Sequence, residues 1–200
     1  NYTGVIGNGR GGVGAFFEVS PAERAPLGLG VFRCRQAHLL KSIPVVHPML
    51  LLVLSGTKIV SLPDRELRHG AGGLFSIPGD ITLSVTNLPE RENGEYLALV
   101  AAFEPELLER FRQAHRGEVS LERDNQWTGA ASDELLWSLI QLLDLLKNPN
   151  VAKTLAVGRR LELLTILERD GLAGNLVNQP MSWRQRVASL VTEELERSWQ

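Results

Sequence analysis

The sequence predicts a mainly β fold with α elements: an antiparallel β-sandwich or barrel followed by a helical region. Three observations predict it. Between His47 and Asn87, short apolar runs are separated by turns at Ser55-Gly56, Pro63-Asp64 and Ile77-Pro78-Gly79-Asp80, a spacing typical of antiparallel sandwiches and barrels. After Phe103 the apolar period lengthens from two to that of a helix. Beyond residue 131, two leucine-rich runs are bounded by a serine cap, an Asn148-Pro149 break and an Asp170-Gly171 stop.

Residues 1–26 are Gly-rich and then Pro-rich, and read as an N-terminal arm. Gly7, Gly9 and Gly12 match the dinucleotide pattern G-x-G-x-x-G. Only Val5 and Ile6 precede it, and Ala15 to Val19 looks extended, so the strand-turn-helix setting of a phosphate loop is missing. Arg10 would touch a ligand if the arm folds over the barrel mouth. Leu29 to Gln36 alternates as a strand, with Val31, Arg33 and Arg35 on one face and Phe32 and Cys34 on the other. Inward arginines would bind an anionic or hydroxylated ligand; outward arginines would leave Phe32 and Cys34 to the core. Pro44 to Leu54 is nearly all apolar, which requires burial on both faces or cover by helices. Met49–Leu54 and Thr57–Leu62 read as two strands, and two more flank the Ile77–Asp80 turn. Glu90 to Glu95 is a charged hairpin with Asn93-Gly94 as its turn. Tyr96 to Phe103 is the last strand.

Pro105 opens a helix from Glu104 to about Arg116, with Leu107, Leu108 and Phe111 on one side. Residues 117–131 read as a polar connector containing Trp127. Ser132 caps the next helix, and Asp133 and Glu134 suit its first turn. Its apolar face includes Leu135, Leu136, Leu139, Ile140, Leu142, Leu143 and Leu146. A further helix spans about Asn150 to Arg169, with Val157, Leu161, Leu164 and Leu167 as its seam. Asn175 to Pro180 is a linker, and Ser182 to Trp199 a last amphipathic helix. The division is therefore arm 1–26, barrel 27–103, helical region 104–175 and a further helix within 181–200.

Bulk properties exclude several classes. A net charge of −2 gives no sign of nucleic-acid binding by this chain alone. One cysteine, Cys34, forbids an internal disulfide and suits a reducing cytoplasm. No apolar run approaches a membrane span. No Ser-His-Asp set, Cys-His pair or carboxylate pair forms a local motif, so no catalytic residue is expected.

The His47–Asn87 stretch resembles the cupin barrel, a jelly-roll of antiparallel strands. Gly72, Pro78 and Asn87 fit the second cupin motif. Asp80 stands at its second glycine and Leu83 at its metal-binding histidine. The first motif's glutamate falls on Met49, and its paired histidines fall near Ser42 to Val45, where there are none. The resemblance thus implies the shape without the metal: Met49, Leu83 and Val45 offer no ligand atoms for a transition metal. If the Leu83 position faces inward as the family's histidine does, then Ile81, Leu83, Val85 and Asn87 point in, with Met49, Leu51 and Val53, while Thr82, Ser84 and Thr86 point out. A mostly oily interior with polar tips at His47, Asn87 and the arginines suits a small organic ligand. An ordinary packed core gives the same pattern.

Taken in order, LLLVLSGTKIV, GLFSIPGDITLSVTNLP, YLALVAAFEPELLERF, RRLELLTILERDGLAGNLV and SWRQRVASLVTEELERSW resemble an AraC-type (AraC/XylS) bacterial transcription regulator over roughly residues 27–200. The resemblance implies a cupin-like effector domain, a helical dimer interface and a C-terminal pair of helix-turn-helix motifs, of which 181–200 would be the start. DNA would then be read only through that absent part, and a duplex should not bind residues 1–200. The expectation is a metal-free and cofactor-free cytoplasmic effector-sensing domain, not an enzyme. Its ligand would lie against Arg33, Arg35, His47, Met49, Leu83 and Asn87. A homodimer would form through Leu135, Leu139, Leu142, Leu161 and Leu164. The alternative is an interaction and dimerisation module with a filled barrel; a cupin enzyme is the remaining class, disfavoured by Met49 and Leu83.

Overall fold

The computed structural model describes residues 27–92, 94–115, 126–147 and 149–177. The expected arm (1–26), Asn93 of the expected hairpin turn and the helix expected over Ser182–Trp199 lie outside the described residues.

Among the described residues, nine strands form two antiparallel sheets. In chain order they are β1 (Leu29–Cys34), β2 (His38–Val45), β3 (Met49–Ser55), β4 (Thr57–Ser61), β5 (Glu66–His69), β6 (Gly73–Ile77), β7 (Ile81–Leu88), β8 (Tyr96–Ala102) and β9 (Thr128–Ala130). One sheet has the order β1-β8-β3-β6-β9, the other β2-β7-β4-β5. Most successive strands cross between the sheets, β4–β5 being a hairpin within one of them, and this is the jelly-roll-like, cupin-like architecture expected. Two strands were not legible as such. β2 is mostly exposed and carries Ser42 in a left-handed conformation (φ 54) beside a register shift. β9 lies in the stretch read as a polar connector and pairs with β6.

Two tight turns fix the strand register. Gly56 has φ +79, and a Cβ there would lie 2.4 Å from the Leu88 carbonyl, so the β3–β4 turn requires glycine. At the β6–β7 turn a Cβ on Gly79 would strike Pro48. Asp80, standing where the cupin pattern has glycine, has φ 52, a left-handed conformation that aspartate tolerates better than most side chains.

β3 is buried on both faces, as its unbroken apolar run requires. Leu51 and Val53 enter a core between the sheets with Val60, Phe75, Leu83 and Val85, which bears out the inward parity. Leu50, Leu52 and Leu54 face the other way, into a second core under the helices. These are α1 (Pro105–Ala114), α2 (Asp133–Asp144), α3 (Pro149–Arg169) and α4 (Gly174–Val177), with a 3-10 turn at Leu145–Lys147 between α2 and α3. Ser132 caps α2 by accepting from the Leu135 N–H (3.3 Å), while its own hydroxyl donates to Asp170 (2.8 Å) where α3 ends. Gly171 closes α3 at φ +76.

The leucines expected at a dimer seam belong to this second core. Leu135, Leu139, Leu142 and Leu164 are at most 2 % exposed, and Leu161 packs at its edge. The helices find their cover in the five-stranded sheet of the same chain, and each leucine so buried contributes roughly 1.5–3 kcal/mol to folding. The α3 seam is also displaced from the expected one. Ala152, Ala156, Arg160, Leu163, Leu164 and Leu167 are its buried positions, with Arg160 at a core-facing site. Asn175, Leu176 and Val177, read as the start of a linker, are buried in the helical turn Gly174–Val177.

Candidate functional site

The inter-sheet core is apolar except at one end. There β4, β7, β8 and β1 bring together Lys58, Asn87, Tyr96 and Cys34. Lys58 and Val60 are the buried residues of β4, two apart and so on one face. Lys58 is 3 % exposed, and its Nζ donates to Asn87 Oδ1 at 2.9 Å. The same Nζ lies 5.8 Å from the ring centres of both Phe32 and Tyr96, within range of cation–π attraction. Phe32 is 45 % exposed and stands on the β1 side of this group. His69 is the register partner of Lys58 and His38 that of Asn87. His69 meets the Phe75 ring edge-on at 5.5 Å.

The electrostatics follow from burial. Desolvation pulls the Lys58 ammonium down to about 8, with the nearby Cys34 opposing the shift. Burial pushes the Tyr96 phenol well above its ordinary range, with Cys34 adding to the rise. It also raises the Cys34 thiol, and Lys58 works against that rise. The Tyr96 hydroxyl is buried with no hydrogen-bond partner among the described residues. No carboxylate among them pairs with Lys58; its acceptor is the neutral amide of Asn87.

Of the residues singled out from sequence, the structure brings only part together. Asn87 is inside at this polar end, and Leu83 is inside toward the middle of β7. Met49 packs half-buried on the inter-sheet core at the opposite end, where it pairs with Ile77 and Ala102, and His47 sits in the β2–β3 turn beside it. Four residues of β7 already span about 13 Å, so His47 and Met49 do not share a small ligand's polar group with Asn87. Arg33 and Arg35 are exposed, and Arg33 ion-pairs with Glu95 at the rim. Of the two orientations the sequence left open, the outward one is found, which removes Arg33 and Arg35 from the expected ligand contacts: Phe32 and Cys34 occupy the face toward the inter-sheet core. Cys34 is a partly buried thiol, not a fully buried one.

Lys58 was missed. A lysine between Thr57 and Ile59 reads as a solvent-facing strand position by default. The available signal was parity, because Lys58 shares its face with Val60, the better core residue.

Among the described residues no group of three His, Cys, Asp or Glu side chains is placed to hold a metal ion. No described helix is long and apolar enough to cross a membrane. On the helical side, a groove of about 440 Å³ between α2 and α3 is lined by residues including Trp137, Ser138, Gln141, Thr165 and Ile166. Trp137, Val151 and Leu155 are the exposed large apolar side chains of these two helices.

A family model described as AraC-type transcriptional regulator N-terminus matches residues 27–170. A comparison with curated proteins finds no match. Among solved structures, an apo ToxT variant from Vibrio cholerae superposes with a TM-score of 0.61 at 7 % identity, over 86 % of this chain and 66 % of that one. Vibrio cholerae ToxT with a bound unsaturated fatty acid gives 0.60 at 7 % identity, over 86 % and 65 %. ToxT from the same species bound to (E)-4-(8-methylnaphthalen-1-yl)but-3-enoic acid gives 0.58 at 9 %, over 86 % and 67 %. At these identities the likeness is one of fold. The chain spans about two thirds of the length of the ToxT structures it matches.

Proposed function

Because this chain belongs to the family of AraC-type transcriptional regulator N-termini, we propose that it senses a small organic effector at the polar end of the inter-sheet core and passes that state on to a DNA-binding domain. The observation that carries the reading is the Lys58–Asn87–Tyr96 group, buried at an otherwise apolar core with a phenol that has no partner among the described residues. A packed structural core gains nothing from an unmatched ammonium, whereas a binding site uses a few polar groups in an apolar setting to orient a ligand. ToxT, which shares the fold, binds organic acids in two of the structures above, and that supports an effector in this fold. The effector would act by binding one arrangement of the domain better than another.

The domain would work in the cytoplasm, without catalysis, as a homodimer. The surface for the second copy is the outer face of α2 and α3 around Trp137, Val151 and Leu155, since the leucines of these helices are used in the chain's own core.

A thermal-shift screen with sugars, amino acids, organic acids and fatty acids tests the effector reading. A ligand at a hundredfold excess over its dissociation constant should stabilise the chain by about 2.7 kcal/mol. A hit lost on Lys58→Met supports the site. No shift with any compound would favour the interaction module with a filled barrel.

A further inference from the structure

We propose that the groove between α2 and α3 binds a neutral, planar heteroaromatic ligand, an adenine base or its nucleoside, stacked on Trp137. This goes beyond the effector reading and does not depend on it, because the groove lies on the helical side of the five-stranded sheet and the Lys58 group on the other. The groove comes from helical spacing. Glu134, Trp137, Ser138 and Gln141 stand at i, i+3, i+4 and i+7 of α2, and α3 repeats that spacing from Glu162 to Arg169. The hollow between the two stripes holds about 440 Å³, within the range of small-molecule sites.

Two side chains mark it as more than a seam between helices. Ser138 lines the groove and is 1 % exposed, and its hydroxyl has no hydrogen-bond partner among the described residues. Packing alone gains nothing from that hydroxyl, since alanine would fill the place without an unmet polar group. The next residue, Trp137, is 59 % exposed, so a flat apolar wall stands in water beside the unmet hydroxyl. Ile166 adds apolar surface from α3.

The class of ligand follows from what is already matched. Arg169 pairs with Glu134 and Asp170, and Glu162 pairs with Arg159. Of the charged groups lining the groove, two are carboxylates and one is a guanidinium, so an anion meets net repulsion. An alkyl chain would cover Trp137 but leave the Ser138 hydroxyl unmet. A planar base answers both needs: its face stacks on the indole, and its edge carries donors and acceptors. Gln141, one turn beyond Trp137 on the same stripe, supplies an amide. An amide matches the N6 donor and N7 acceptor of adenine as a two-bond pair.

The test is titration calorimetry on the full chain with adenosine, inosine, adenosine monophosphate and glucose. Adenosine should bind. Inosine should bind several-fold more weakly, because its ring presents an acceptor where adenine has its amino donor, and the monophosphate should also bind more weakly than adenosine. Trp137→Ala, at an exposed position, should weaken adenosine about tenfold or more, the loss of one stacked base. Ser138→Ala should weaken adenosine and also raise the urea midpoint of the ligand-free chain, because it removes an unmet polar group. A serine kept for structure would lower that midpoint instead. Lys58→Met should leave adenosine binding unchanged. No binding of adenosine at millimolar concentration, glucose binding as tightly, the monophosphate binding more tightly, or adenosine binding untouched by Trp137→Ala would overturn the assignment while leaving the effector reading in place. Adenosine binding lost in Lys58→Met but kept in Trp137→Ala would overturn it too, and would move the ligand to the inter-sheet core.

Discussion

Lys58 decides how the stability of this chain responds to pH. Its ammonium is ordinary at 10.5 in an unfolded chain and is held at about 8 in the fold by burial. Between those values the unfolded chain binds more protons, so stability rises with pH through that window, and below about pH 8 the fold bears the full cost of a buried charge. Cys34 and Tyr96 act in the opposite sense. Burial raises both, so the fold keeps their protons, and stability falls once pH passes their unfolded values of 9.0 and 10.0. The Lys58 contribution is therefore cleanest between about pH 7 and pH 9, and cleanest as a difference. Relative to Lys58→Met, the wild-type chain should gain about 1.4 kcal/mol across that interval, one unit of pH-dependent proton binding. Urea unfolding at both pH values measures it, and a difference that stays flat would mean Lys58 is solvated. Arg160 gives a second prediction at this scale. It is 4 % exposed, and it donates to the Ala102 carbonyl and to Glu104, tying α3 to the end of β8 and the start of α1. Glu104→Ala would strand a buried guanidinium and should cost about 2–3 kcal/mol, less than a fully buried pair because the Ala102 carbonyl remains. A loss below about 0.5 kcal/mol in the same assay would show that the pair behaves as a surface one.

The helices separate two kinds of apolar position. Leu164 is 0 % exposed against the five-stranded sheet, whereas Trp137 is 59 % and Leu155 43 % exposed. A charge at Leu164 should abolish folding, and Leu164→Ala should cost about 2–5 kcal/mol as a cavity. Trp137→Asp and Leu155→Asp should leave folded chains of lower oligomeric state, read by sedimentation and far-UV circular dichroism. Folded dimers from both variants would move the second copy to another face. The same contrast marks what the sequence made legible. The apolar stripe of α2 is plain in its leucines, because a 3.6-residue period is local. What covers the stripe is not local: sheet and second copy are equally apolar, and only topology puts β3 and β8 beneath it. Strands buried on both faces, such as β3, announce themselves by composition. β2, an exposed edge with Pro44 and a bulge, and β9, three residues long, do not. On α3 a charge within the seam hid it, because Arg160 occupies a core-facing position that pattern reading gives to leucine. Lys58 was hidden for the same reason. A strand charge reads as solvent-facing until the fold supplies a partner such as Asn87 at hydrogen-bond distance.

At the scale of the whole molecule, the two cores share strands, and this gives the proposed effector end a physical route to residues 172–177. On β6, Phe75 faces inward against His69, and Ser76, the next residue, faces the helical core. The Ser76 hydroxyl donates to the Leu172 carbonyl at 2.7 Å, and its carbonyl accepts from Asn175 Nδ2 at 3.3 Å. Asn175 also donates to the Gln126 carbonyl at 3.2 Å, and Arg112 Nε to the Val177 carbonyl at 2.9 Å. Residues 172–177 are thus held on the back of the strand whose front lies beside the polar site. Apart from the Arg112 guanidinium the partners are neutral, and the bonds are buried or partly buried, each a modest net contribution but costly to leave unmade. Ser76→Ala should strand the Leu172 carbonyl and lower global stability by about 1–2 kcal/mol. The sharper readout is local, because segments open with their own free energies. Amide exchange of Leu176 and Val177, whose N–H groups bond the Ala173 carbonyl, should quicken in Ser76→Ala by more than that of Leu51 in the inter-sheet core. If an effector acts through this route, its binding should slow exchange at 176–177 in the wild-type chain, and Ser76→Ala should blunt the effect without weakening binding in proportion. Equal protection of 176–177 with and without a bound ligand would uncouple the two ends, and the domain would have to report its state through the outer face of α2 and α3 instead.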